Sequence, residues 1–235
     1  MSSNEEEYQN FFSNKSVAIV GPSSKMDKSG CGKLIDSFDI VVRLNRALPI
    51  KNTEDLGTRT DILYNNLDLA EKERGAIDPD LWNSCGVKYV SSLASKEVWY
   101  SDPSISDPYR DQIAIRWIPP DTYEFLHAEF SGRTNAGTMV IYDILQTKMS
   151  KMFIFGIDFH RLLYTEDYYK NTEWEDIMKN RETATEVLTG NGCHDPDSQY
   201  LWFKNSVFRK DPRVFVQEYF RQILENDQYD KCFEV

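Results

Sequence analysis

Short apolar runs recur along the chain, each closed by small or polar residues. "VAIV" (17–20), "DIVVRL" (39–44), "DILY" (61–64), "KYVSS" (88–92), "KMFIF" (151–155) and "RVFV" (213–216) have the length and β-branched content of buried strands. Helical spacing takes over between some of them. "AGTMVIYDILQTKM" (136–149) carries apolar residues at 139, 140, 141, 144 and 145, and "SQYLWFKNSVF" (198–208) and "VQEYFRQILEN" (216–226) follow the same period. "SDPSISDPYRDQ" (101–112) reads as a loop from its Pro, Ser and Asp content. Strands alternating with helices predict an α/β fold: a Rossmann-like, mainly parallel sheet flanked by helices. The acidic N-terminus, 1–14, is expected to be flexible, and 15–235 to form a single domain.

The residues that follow each strand change this picture. Gly21-Pro22-Ser23 follows the first, Asn45 the second, Asn65 and Asn66 the third, and Gly156-Ile157-Asp158 follows "KMFIF". Ligands of open α/β sheets sit beyond the carboxyl ends of the strands. Gly and Asn are also ordinary turn residues, so each position alone fits a turn. Their coincidence on one edge favours a pocket. "SGRTNAGTMV" (131–140) adds a helix start to that edge. Asn135 can cap the helix, Gly137 permits close approach, and Ala136 lies between them. The free N–H groups there suit a phosphate. Simple capping is the competing reading.

Composition sets the remaining bounds. The 235 residues are 40% hydrophobic and carry a net charge of −11, which excludes a nucleic-acid backbone binder but not a small anionic ligand. Cys31, Cys85, Cys193 and Cys232 form no CxxC pair, so free thiols are expected and a zinc site is not. No 18-residue apolar run and no signal core occur, and a soluble, cytoplasmic protein is expected.

Longer stretches resemble a known family. "SGCGKLIDSFDIVVRLNRALPIKNTEDLGTRTDILYNN" (29–66) resembles the large motif of the animal-type sialyltransferases, chiefly in "IDSFDIVVRLN" and "DLGTRTD". "TNAGTMVIYDILQTKMSKMFIFGIDF" (134–159) resembles their small motif, and its "GIDF" is also similar to bacterial sialyltransferases. His194 in "GCHDPDSQ" resembles the histidine of their very small motif, and "EDYYKN" (166–171) their tyrosine-rich third motif. There are three departures. The cysteine joining large and small motifs is absent, position 17 being Val. The Glu five residues past the motif histidine is Gln199. The membrane anchor and stem have no counterpart.

The resemblance implies a GT-A-like glycosyltransferase that inverts the anomeric carbon of a CMP-activated sugar, usually sialic acid, onto an acceptor hydroxyl. The partners it implies are a CMP-sugar donor and a glycan or glycoconjugate acceptor, with no cofactor and no metal. Donor-binding candidates are Gly21, Pro22, Ser23, Asn45, Asn65, Arg133, Asn135, Ala136, Gly137, Gly156 and Asp158. His194 is the first candidate for general base, His160 the second and His127 the last, since His titrates near neutrality. Tyr168 and Tyr169 are candidate donors to the departing phosphate. Asp78-Pro79-Asp80 and Asp195-Pro196-Asp197 have the Asp-x-Asp spacing of metal-dependent transferases but read as turns. Within the large-motif match, Arg59 is expected to pair with a carboxylate in the core. A CMP-Kdo-type transferase is one alternative. A nucleotide-binding or interaction protein that has lost catalysis, suggested by Gln199, is another.

Overall fold

The computed structural model describes residues 3–67, 77–92, 107–130, 133–165, 168–169, 175–180, 183–184, 186–187 and 194–226. Among the described residues there are seven strands: β1 (Ser16–Val20), β2 (Ile40–Leu44), β3 (Ile62–Asn65), β4 (Tyr89–Ser92), β5 (Ala114–Trp117), β6 (Lys151–Phe155) and β7 (Val214–Val216). They form one sheet in the order β5-β4-β3-β2-β1-β6-β7, and every neighbouring pair is parallel. The α/β architecture is the expected one. Connections run outward from β1 through β5, then return to the far side of β1 at β6. The crevice of such a sheet opens where the direction reverses, beyond the carboxyl ends of β1 and β6.

The period-two alternation of the strands divides the core. Val17, Ile19, Ile40, Val42, Leu44, Ile62 and Tyr64 face one layer, with Val140, Ile141 and Ile144 of the helix Ala136–Leu145 and Phe220 and Leu224 of the helix Glu218–Glu225. Ala18, Val20 and Val41 face the other, against Met26, Ile35 and Phe38. Leu63 and Val90 continue that face onto Trp82 and Ile113.

Two expectations are corrected. The N-terminus is a helix, Ser3–Phe11, rather than a flexible acidic tail, because Tyr8 and the adjoining Phe12 are fully buried against the sheet. And β5 was not anticipated, because its inward residue is a cation. Arg116 is 3% exposed and bonds Glu5 of the first helix, Asp143 of the helix Ala136–Leu145 and Ser91 of β4. The stretch 198–208 is a helix, Pro196–Trp202, that widens into a π-turn over Phe203–Phe208. Of the expected loop, 101–106 lies outside the described residues, and 107–112 is a 3-10 turn of helix over 107–109 followed by a turn at 110–112.

The segment 29–66 is largely scaffold. Arg43, buried in β2, donates to the carbonyls of Leu56 and Arg59 and to the Thr60 hydroxyl. Asp36 accepts from the amides of Thr58 and Arg59. Arg59 pairs with the buried carboxylate of Asp61 at 3.0 Å, as expected. These bonds fix the loop between β2 and β3, and so the place where Asn45 leaves the sheet.

Candidate active site

The crevice floor is backbone. Gly21 ends β1 and donates to Phe155 O of β6 at 2.7 Å. A Cβ on Gly21 would fall 2.4 Å from Gly156 O, and one on Gly156 would fall 2.6 Å from Gly21 O. Gly156 also has φ +62°, where a side chain is disfavoured. Ser23 N donates to Gly156 O at 2.9 Å. The chain at Pro22–Ser24 then pairs antiparallel with 163–165: Thr165 N donates to Pro22 O (2.7 Å) and Ser24 N to Leu163 O (2.8 Å).

That pairing brings an aromatic cluster to the crevice. Tyr164 lies opposite Ser23, and its hydroxyl is 3.2 Å from Nδ1 of His160. Tyr168 and Tyr169 pack on Tyr164 with ring centroids 5.3 and 5.5 Å away. The two expected tyrosines therefore stand beside His160 through Tyr164. Sequence reasoning missed Tyr164, because the residue that positions it, Ser23, is remote in sequence.

The polar ends of β2 and β3 differ. Asn45 has φ +47°, a left-handed conformation Asn tolerates, and donates its amide to Tyr64 O at 2.7 Å. Its side-chain Oδ1 is buried and has no hydrogen-bond partner among the described residues. A buried acceptor of this kind calls for a donor. Asn65 is 2% exposed, and its Oδ1 accepts from Leu67 N at 2.8 Å, which closes a local turn.

The helix start is capped as expected: Asn135 Oδ1 accepts from Thr138 N at 2.8 Å. Gly137 lacks a Cβ that would fall 2.9 Å from Ile157 Cγ2, so the bare helix start packs on the segment after β6. Ala136 is half-buried between them. Arg133 is exposed, and its carbonyl is engaged. Nδ1 of His194 lies 2.8 Å from Arg133 O, in a β-bridge between the two residues. A carbonyl only accepts, so Nδ1 carries the proton and Nε2 the lone pair. Gln199, fully buried, donates to the same carbonyl at 3.2 Å and accepts from Asn135 N (2.9 Å) and Thr138 Oγ1 (2.8 Å).

The two candidate bases share one field. Phe159 and His160 both have positive φ, +53° and +61°, which costs strain in non-glycine residues. His160 is 7% exposed; burial first, then the charges of His194 and Arg161, push its pKa down to about 3. It stays neutral throughout the working range. His127 lies apart on the helix Pro120–Glu129, against Tyr123.

Asp158 is buried rather than lining an open wall. Burial pushes its carboxyl up to about 7, against the opposing pull of the Ser23 hydroxyl, Leu162 N and Arg161. The folded chain therefore holds a proton that the unfolded chain gives up at ordinary carboxylate pH. That proton stabilises the fold fully below about pH 4, and the contribution is lost as pH rises through 7. Asp158→Asn is accordingly expected to raise stability at pH 8 by on the order of a few kcal/mol and to change it little at pH 4.5. Thermal melts at the two pH values measure this, and equal shifts at both would remove the protonated acid.

Both Asp-Pro-Asp stretches begin helices. Asp78 caps Pro79–Ser84 through Leu81 N, and Asp195 caps Pro196–Trp202 through Ser198 N. Asp197 lies 3.0 Å from the buried guanidinium of Arg161. Among the described residues, no group of three or more His, Cys, Asp or Glu is placed to hold a metal. Nor, among them, is any helix long and apolar enough to cross a membrane.

Comparison with known proteins bears on the fold. Residues 3–100 match the model of glycosyltransferase family 29 (sialyltransferase). The fold is similar to that of a mammalian sialyltransferase at 13% identity, covering 92% of this chain and 79% of that one, with a TM-score of 0.50. It is also similar to the sialyltransferase CstII from Campylobacter jejuni in complex with CMP-3FNeuAc, at 13% identity, 86% and 81% coverage and a TM-score of 0.55. A CST-II structure with a trisaccharide acceptor and CMP matches at 15% identity, 86% and 80% coverage and a TM-score of 0.54.

Proposed function

We propose that this chain is a glycosyltransferase of the sialyltransferase family that moves sialic acid or a related keto-sugar from a CMP-activated donor to an acceptor hydroxyl with inversion. Solved structures of the same fold were obtained with CMP, a CMP-sugar analogue and a trisaccharide acceptor, which supports a CMP-sugar donor and a glycan acceptor here. The observation that carries the reading is His194, held through Nδ1 to the carbonyl of Arg133 two residues before the helix cap Asn135. A general base and a phosphate-binding helix start then meet at one edge of the crevice.

The chemistry needs no further group. The acceptor oxygen forms a bond to the anomeric carbon as its proton passes to Nε2 of His194. The bond from that carbon to the phosphate oxygen breaks, and CMP departs as a phosphate monoester. Tyr168, Tyr169 and the helix start offer hydrogen bonds to its developing charge. Asn45 Oδ1 offers an acceptor to the nucleoside. Gln199 satisfies three neighbours, so its place in the motif disrupts nothing.

The test is CMP release from CMP-sialic acid by the purified chain in excess EDTA, with and without oligosaccharide acceptors. Release in EDTA is expected. Release restored only by Mg²⁺ or Mn²⁺ would overturn the metal-free mechanism, and none under any condition the whole reading. Asn45→Ala is expected to weaken CMP binding by about 1–3 kcal/mol in isothermal titration, the cost of a lost buried hydrogen bond. Unchanged affinity would take Asn45 out of the site.

A further inference from the structure

The Arg133 carbonyl oxygen accepts two hydrogen bonds, one from His194 Nδ1 at 2.8 Å and one from Gln199 Nε2 at 3.2 Å. The other end of the same amide accepts from Asn135 N and Thr138 Oγ1 at the helix start. Gln199 is completely buried, and its two bonds at the helix start form in a medium where each is strong and neither is easily replaced by water, while the His194–Arg133 bond lies at the surface. An amide meets both demands at any pH, whereas a carboxyl does so only while protonated, because the Arg133 side needs a donor and the helix side an acceptor.

We infer that Gln199 is a positioning residue for His194: it anchors the carbonyl that fixes the ring's tautomer and ties that carbonyl to the start of the helix Ala136–Leu145. The ring is held with Nε2 as its acceptor nitrogen, and base and helix start move as one unit. The catalytic meaning of this device rests on His194 being the base of the proposed transfer. The tautomer and the tie do not.

The charges around the ring are fixed in place. His160, itself neutral, couples electrostatically to the ring from the segment after β6, and Arg161 acts on His160 from the same segment. On its own element, the Asp195 carboxylate caps the helix and Asp197 lies against Arg161. The Arg133 guanidinium is on an exposed side chain, and Asp143, farther along the adjoining helix, is bound to Arg116 and Tyr64. A carboxylate at position 199 would be new among them. Ionised, it would keep the two acceptor bonds at the helix start, which favour that form against the opposing effect of burial, and lose the bond to Arg133 O.

The experiment is ¹⁵N NMR of histidine-labelled protein, with the His194 signal assigned by His127→Asn and His160→Asn. In the wild type, His194 is expected as the Nδ1–H tautomer. Gln199→Glu is expected to raise its titration midpoint by about one pH unit, the effect of an adjacent opposite charge. Gln199→Met, similar in volume but unable to make these bonds, is expected to mix the tautomers. The acid limb of CMP release should shift upward in Gln199→Glu together with the midpoint. An Nε2–H tautomer in the wild type, or an unchanged midpoint in Gln199→Glu, would overturn the inference. If Gln199→Met fails to fold, Gln199→Glu carries the test. A wild type that shows the tautomer and the shift but releases no CMP would leave the positioning role standing and remove the transferase reading.

Discussion

Arg116→Ala should lower the unfolding free energy by about 3–5 kcal/mol, the cost of leaving a buried charge unpaired. Arg116 donates to Glu5 at 2.7 and 3.1 Å, to Asp143 at 2.7 and 3.0 Å and to Ser91 at 3.0 Å. Its guanidinium also lies 4.0 Å from the centre of the Tyr8 ring. Truncation leaves the Asp143 carboxylate, 2% exposed, with the Tyr64 hydroxyl and no cation. That loss is a large share of the stability of an ordinary domain. The pair itself contributes far less than its breakage costs, since buried ion pairs can often be exchanged for apolar residues of similar size. The double variant Arg116→Met with Asp143→Leu should therefore be more stable than Arg116→Ala. Urea unfolding at pH 7 gives both values. A loss below about 0.5 kcal/mol in Arg116→Ala, the range of ordinary surface changes, would show that the network carries no load.

His194→Ala should reduce turnover by about 10²–10⁴-fold, the usual contribution of a positioned base, while the affinity for CMP is unchanged. In the proposed transfer the base faces the acceptor and has no role at the nucleotide. The wild-type rate should rise with pH through the titration of His194, because a protonated ring cannot take the acceptor proton. His160 contributes no limb in that range, since burial holds it near pKa 3 and keeps it neutral. Turnover of wild type, His194→Ala and His160→Ala with one donor and one acceptor decides between the two histidines. Full rate in His194→Ala with no rate in His160→Ala would reverse the assignment.

Six of the seven strands were legible because each is a short apolar run whose burial needs no distant partner. In β5 the inward residue is Arg116, whose partners Asp143 and Glu5 lie 27 and 111 residues away, so local pattern could not mark it as buried. The first helix was hidden in the same way. Its acidic residues suggest solvent, while Tyr8 and the adjoining Phe12 earn their burial only against the sheet. At the candidate site, the Gly, Asn and Ser at the strand ends were legible from the rule that ligands meet parallel sheets at one edge. Tyr164 was not, since the chain shows its ring but not that Ser23 lies opposite. Gln199 was visible only as a departure from a motif, and its meaning came from the carbonyl it shares with His194. Asp158 was placed at the correct strand end, but its burial depends on packing from Ser23 and the segment beyond it.

The contact between Gly21 and Gly156 bears on how such a protein changes over generations. Two strands touch there with no room for a methyl group on either, so substitution at one glycine cannot be relieved at the other. Elsewhere on the crevice a side chain can be exchanged and its neighbour adjusted in a later step. At this point the first step already wedges the strands apart, and no second step closes them. Substitution is therefore expected to be tolerated in the walls of the crevice before it is tolerated at this floor, where the shape of the cleft depends on two positions that carry no side chain.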